Sequence, residues 1–317
     1  MRLDSVYQVH AACVNTVCLP TDRRVVLTAA QEWDHDEQEL FGVVKVWVPG
    51  QGLLKAHRAE GYDSRISASP AGDRVVWSGM TGRFRVMDGT TGAFEREVLL
   101  PEADESPARP ALFSPDGSAL FLRSSGGLLV LETGGWTVRT TIPLQERVTS
   151  VDIDLDGRRL AIGGVDGTAQ VWDLDPLRKT HELLASDVHV RWVKFTADGV
   201  VTAGVDRPSR FWRLTGSSAA CTHEPASDPV NALLTRDQDG AVVIGTATGA
   251  VEIWDPQAGR LVERYELKLP DHIPVVEEEG WELEDNPHPE VTSLALNDRS
   301  GQLAVGMMGG CVAFIDL

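Results

Sequence analysis

Apolar residues along this chain come in short runs of four to six, each broken by a Gly- or Asp-containing turn, and no run settles into a 3.6-residue period. That pattern predicts β-strands and hairpins rather than helices. The same short strand, closing on an aromatic or aliphatic residue and usually an acid, recurs as VKVWV, FRVMD, LLVLE, AQVWD, SRFWR, VEIWD and VAFID. Anchored on Trp47, Met87, Leu131, Trp172, Trp212, Trp254 and Ile315, the repeats are spaced by 40, 44, 41, 40, 42 and 61 residues. Ahead of each anchor stand an apolar segment, a turn, a second apolar segment and a Gly or Asp turn. The fourth unit reads VTSVDI, DLDG, RLAIGG, VDGT, AQVWDL.

A repeat period near 40 residues holding four short strands predicts a radial architecture, because stacking units around an axis leaves only short, protected edges. The expectation is an all-β fold: a seven-bladed β-propeller of four-stranded antiparallel blades, one domain over residues 1–317. The last unit stops at its third strand, and residues 2–9 form a spare strand ahead of the first unit. The N-terminal strand is therefore expected to complete the last blade and close the ring.

These units resemble WD repeats. The fourth is the best match, with DLDG followed by GGVDGTAQVWDL; the sixth keeps VEIWDP, the third FSPDG, and the fifth FTADG followed by RFWR. The family's Gly-His position is approximated by Val9 and His10, followed by Val14, Val17 and Leu19, and again near His288. The resemblance implies a buried network of His, Ser or Thr, Asp and Trp within a blade. Asp166 and Trp172 match two of its positions, but only Glu146 and Arg147 stand near the place of the His, so incomplete networks are expected. The resemblance also implies an interaction scaffold that presents several faces to protein partners.

Two insertions interrupt the period. Residues 31–42, QEWDHDEQELFG, separate the second and third strands of unit one, and residues 268–290, KLPDHIPVVEEEGWELEDNPHPE, join units six and seven. In the resembled family both connections emerge on the upper face of neighbouring blades, so the two are expected side by side as loops. Trp33-Asp34 falls in the first loop, out of phase with the repeat. Together the insertions hold 13 carboxylates and one base, Lys268. They read either as solvated loops pinned by their tryptophans or as a docking surface for a basic protein partner, with Trp33, Asp34, Asp36, Glu37, Glu277, Glu278, Glu279 and Trp281 as its residues. A hard-oxygen metal site on Asp34, His35, Asp36, Glu37 and Glu39 is a third reading, though the glycine and spacing of a calcium loop are missing. A second group, Arg65, Arg109, Arg147 and Arg191 with Trp192, lies at the leading ends of the innermost strands of units two to five. These residues either face the central opening or pair with carboxylates between blades.

The net charge of -18, from 47 acids against 29 bases, argues against nucleic acid, whose binding rests on Lys and Arg. Outside the insertions the balance is 34 acids to 28 bases, so most of the acidity belongs to them. The chain has no apolar leader or membrane-length run, which suggests a cytoplasmic setting and no membrane partner. Four scattered cysteines, Cys13, Cys18, Cys221 and Cys311, fit reduced thiols, and the 24 arginines against 5 lysines suggest a GC-rich bacterial source. No nucleophile elbow, phosphate loop or HExxH is present, and the eight histidines are dispersed. The resulting expectation is a non-catalytic protein-binding scaffold without a cofactor, a monomeric propeller within a hetero-complex. The alternatives are a metal-dependent propeller hydrolase or lactonase using the central channel, and a ligand sensor for a partner enzyme.

Overall fold

The computed structural model describes the chain except residues 21–24, 35–37, 61, 80–81, 101–111, 125–126, 145–146, 206–208, 216–218, 224–227, 277–287 and 298. Its strands form seven four-stranded antiparallel sheets, each a blade. Blade 4, for example, runs Val148–Ile153, Arg159–Gly164, Thr168–Leu174 and Leu177–Leu184 in that spatial order. The first strands of blades 4, 5, 6, 7, 1, 2 and 3 touch in that sequence, which sets them around a common axis with the outer strands at the rim. The turns between first and second strands, and between third and outer strands, share one face, here the lower. The remaining connections make the upper face.

Closure follows the sequence expectation. The N-terminal strand, Arg2–Gln8, pairs antiparallel with Cys311–Asp316 and becomes the outer strand of blade 7. Val6 is buried in that blade's core beside Val305, Ala313 and Ile315.

Each blade-to-blade joint repeats one steric device. The first strand of blades 1, 4, 5, 6 and 7 opens with a buried valine: Val14, Val148, Val190, Val230 and Val291. In three joints that valine fills a notch left by a glycine on the second strand of the preceding blade. A Cβ on Gly163, Gly245 or Gly306 would lie 2.9, 2.2 and 2.9 Å from the side chains of Val190, Val291 and Val14, respectively. These glycines therefore let apolar surface from adjacent blades meet without a gap, and each valine so buried contributes about 1.5–3 kcal/mol.

The first insertion is not a loop up to its tip. The second and third strands of blade 1, Val26–Asp34 and Glu39–Val48, are nine and ten residues long and stay paired through Gln31↔Gly42, Glu32↔Phe41, Trp33↔Leu40 and Asp34↔Glu39. Trp33-Asp34 is thus strand, not loop. Alternation continues past the blade because Phe41 and Leu40 supply apolar partners, and the fourth strand, Gly52–Glu60, lengthens to match.

Candidate functional site

At the blade 7 to blade 1 junction, His10 is fully buried and held at both ring nitrogens. Nδ1 lies 2.7 Å from Glu32 Oε1, and Nε2 lies 2.9 Å from Thr28 Oγ1. Lys45, also buried, donates to the Val9 carbonyl at 2.9 Å. Glu32, one of the 13 carboxylates of the insertions, does not belong to an acidic surface: it is a core residue, 2 % exposed, because alternation turns it inward at the base of the long hairpin. The His–Thr–acid part of the network implied by the family resemblance therefore exists in blade 1, while the Trp47 indole N–H has no hydrogen-bond partner. In blade 4 the network is absent among the described residues: Asp166 bonds its own turn through Thr168, and Trp172 donates to Gln170 at 3.1 Å. In blade 5 the described residues hold the Trp–Thr step, Trp212 to Thr202 at 2.9 Å.

The start of the second insertion also reaches this junction. Residues 274–276 run parallel to the end of the N-terminal strand, with Gln8 N–H donating to the Pro274 carbonyl at 2.9 Å and Val276 N–H to the Gln8 carbonyl at 2.8 Å. Val276 is buried in the same apolar cluster as Val9, Val17 and Trp47. Both insertions thus converge on Val9 and His10, one through Glu32 and the other through Val276. Of the acidic-surface residues named from the sequence, Asp36, Glu37, Glu277, Glu278, Glu279 and Trp281 lie outside the described residues, as does the side chain of Asp34. Trp33 and Leu40, facing each other across the hairpin, are each 49 % exposed. Arg58 stacks 5.2 Å over Phe41 on the next pair.

The second group sits at the axis. In blades 1, 4, 5, 6 and 7 the ladder between first and second strands slips by one residue just after the buried valine. Such a bulge re-aims the residue it frees, here Asn15, Thr149, Arg191, Asn231 and Thr292. Four of them reach the next blade: Thr149 donates to the Val190 carbonyl, Arg191 Nη1 to Asn231 Oδ1 at 2.9 Å, Asn231 Nδ2 to Glu290 Oε1 at 2.8 Å, and Thr292 to the Val14 carbonyl. The result is a polar belt along the upper ends of the first strands, from blade 4 round to blade 1. Arg191 is a member of it; burial lowers the pKa of its guanidinium and the Glu290 carboxylate opposes that shift. Arg65 and Arg147 are exposed at the leading ends of blades 2 and 4, Trp192 is half-buried against the core between blades 5 and 6, and Arg109 lies outside the described residues. Sequence reasoning did not single out Asn231 or Thr292, and counted Glu290 only among the acids of the second insertion. The signal for Asn231 and Thr292 is the Val-X pair that recurs at the start of the first strands of blades 1, 4, 5, 6 and 7.

Cys13 lies beside this belt, and burial, the largest influence, raises its thiol pKa, which disfavours the nucleophilic thiolate. Burial pushes Cys18 and Cys311 up to about 12. Among the described residues no group of three or more His, Cys, Asp or Glu is placed to hold a metal ion.

Residues 136–173 match the family described as WD domain, G-beta repeat. The matched stretch begins at the outer strand of blade 3 and ends with the third strand of blade 4. The chain is 26 % identical over 171 residues to WD repeat-containing protein VIP3 of Arabidopsis thaliana, covering 48 % of this chain and 52 % of that protein. It is 22 % identical over 154 residues to the DENN domain and WD repeat-containing protein SCD1 of Arabidopsis thaliana, covering 46 % and 13 %. It is 25 % identical over 171 residues to transcription factor unc-37 of Caenorhabditis elegans, covering 52 % and 27 %. The matches thus span about half or less of these relatives' length. All three relatives are eukaryotic, and the bacterial source expected from the arginine excess gains no support from them. WD-repeat proteins are generally scaffolds or protein-interaction subunits, and the matched repeat within a ring of seven blades supports a WD-repeat β-propeller.

Proposed function

We propose that this chain is a non-catalytic recognition subunit that binds a basic protein partner through its upper face at the blade 7 to blade 1 junction. The observation that carries this reading is the long hairpin of blade 1. Its Trp33–Leu40 pair stays half exposed while Glu32, one residue away, is locked into the core through His10. A large apolar pair on a rigid base, within a stretch of sequence rich in carboxylates, is the combination that anchors and steers a basic partner. Solvated loops pinned down by tryptophans would bury Trp33, and it is not buried.

The test is affinity capture from cells of the source organism, with partners identified by mass spectrometry. Partners held by the wild-type protein should be lost from the Trp33→Ala, Leu40→Ser double variant and weakened by raised salt. Glu32 is left untouched in that variant, so the His10 network remains. If every partner were retained by the double variant and by a protein shortened across 278–286, the reading would fail.

A further inference from the structure

The lower face carries a second feature, independent of the upper-face reading. Blades 2, 3 and 4 share one turn between first and second strands: Ser69-Pro70-Ala71-Gly72, Ser114-Pro115-Asp116-Gly117 and Asp154-Leu155-Asp156-Gly157. The three glycines have φ of 66°, 71° and 69°, so the turns superpose in kind. Two residues beyond each glycine the second strand begins, at Arg74, Ala119 and Arg159.

In blades 2 and 4 that arginine spans the joint to the next blade. Arg74 lies 5.9 Å from the ring of Trp136 and donates to the Thr133 carbonyl at 3.4 Å, both in blade 3. Arg159 bonds Asp154 through Nε at 2.8 Å and lies 5.3 Å from the ring of Phe195 in blade 5. Blade 3 has alanine in this position. On its neighbour, blade 4, Leu177 stands where blade 3 has Trp136, and Ile153 stands where blade 5 has Phe195. With guanidinium and aromatic both missing, the joint is open: a cleft of about 590 Å³ lies there, lined by Ala119, Ile153 and Leu177 among others. That volume is in the range of small-ligand and side-chain pockets.

The walls are apolar, with Phe121 and Ile142 at the core and Leu155 and Leu177 exposed at the lip. The rim is acidic. Asp116, Asp156 and Asp175 line it, against one cation, Arg139. Hydrogen bonds from Ser114, first, and then Ser118 lower the pKa of Asp116 and keep it ionised. Among the described residues Asp156 and Asp175 form no ion pair. The occupant that suits such a cleft has an aliphatic stem and a planar cation, which is what the two neighbouring joints supply from within the chain.

We propose that the cleft between blades 3 and 4 is a docking site for an arginine side chain on a partner protein's peptide segment. Its stem would lie on Ile153, Leu155 and Leu177, with the guanidinium among Asp116, Asp156 and Asp175.

The probe is the tripeptide acetyl-Leu-Arg-Leu-amide, titrated into the ¹⁵N-labelled full chain, against the same peptide with neutral citrulline. Saturable amide shifts within 114–118 and 155–157 are expected, with the citrulline peptide bound at least about tenfold more weakly. Ala119→Arg should fill the cleft and abolish the shifts. Should that variant not fold, the surface change Asp156→Asn, Asp175→Asn serves instead and should weaken binding about tenfold. Three results each overturn the proposal: no saturable shift up to about 5 mM peptide, equal binding of the citrulline peptide, or undiminished binding by the double asparagine variant. The Trp33→Ala, Leu40→Ser protein should bind the tripeptide unchanged, which separates this site from the upper-face one.

Discussion

Glu252, fully buried on the third strand of blade 6, sits at the centre of an ion-pair network. Its oxygens meet His223 Nε2 at 3.2 Å and Arg264 Nη1 at 2.5 Å, and Arg264 also contacts Glu266 at 2.6 Å and Asp228 at 3.7 Å. His223 in turn stacks on Trp254, 5.0 Å between ring centres. Burial alone would raise the Glu252 pKa, but the hydrogen bond and charge of His223 and then of Arg264 outweigh it, and the net shift is downward. A carboxyl whose folded-state pKa is depressed contributes stability above its unfolded value, near 4.3, and loses it as pH falls through the folded value. Urea denaturation followed from pH 6 to pH 3 should therefore show stability dropping below about pH 4.3, with a shallower drop in Glu252→Gln. Glu252→Ala should cost about 2–3 kcal/mol at pH 7, since it leaves the buried His223 Nε2 without this carboxylate and removes one of the three that hold Arg264. An unchanged acid slope in Glu252→Gln would mean that other carboxylates carry the pH dependence.

At the level of the element, the glycine notches decide how blades meet. Gly245→Ala would place a Cβ 2.2 Å from Val291 Cγ1, a contact that forces the strand or the valine to move. Overpacking of this kind typically costs about 1–3 kcal/mol. Val291→Ala in the same protein should restore part of the loss, and the coupling is read from a double-mutant cycle by chemical denaturation. Gly134→Ala, with nothing within 4 Å of the added carbon, is the control and should change stability by less than about 0.5 kcal/mol. These joints also mark what the sequence discloses and what it hides. Strand number, blade phase and closure were legible because strand length and turn chemistry repeat every 40 residues or so, and the anchors Trp47, Met87 and Trp254 all lie in the core. The fate of Glu32 was not legible, since a carboxylate in an acid-rich stretch carries no local mark that His10 waits for it 22 residues earlier in the chain. The polar belt was half legible. Arg191 could be named from its place in the repeat, but its link to Asn231 and Glu290 depends on a bulge that only pairing geometry displays. The open joint at Ala119 was visible in principle as an alanine between the arginines of the two flanking blades, Arg74 and Arg159, yet its meaning rests on where those arginines reach.

Across the whole molecule, stability depends on a ring being shut, and the shutting strand comes from the far end of the chain. Arg2–Gln8 closes blade 7 through pairs from Arg2↔Asp316 to Gln8↔Cys311, buries Val6, and provides the edge on which residues 274–276 lie. Its last residue bonds across the ring's seam as well: Gln8 Nε2 donates to the carbonyls of His10 and Gly309, each at 2.8 Å. Just beyond it, His10 fixes blade 1 through Thr28 and Glu32. Removing residues 1–8 therefore strips one strand but loosens two blades and the anchored start of the long insertion. It also bares the edge of Cys311–Asp316, a row of unpaired backbone groups that invites pairing between copies. A chain truncated before Val9 should melt at least about 5 °C lower, since each kcal/mol lost lowers Tm by about 2–4 °C in domains somewhat smaller than this one. It should also form dimers or larger species in size-exclusion chromatography. Adding residues 1–8 back as a free peptide should recover part of the lost Tm in proportion to peptide concentration, because a ligand that binds only the folded ring stabilises it by mass action. A truncated protein with unchanged Tm and a monomeric elution volume would show that the ring holds without its closing strand.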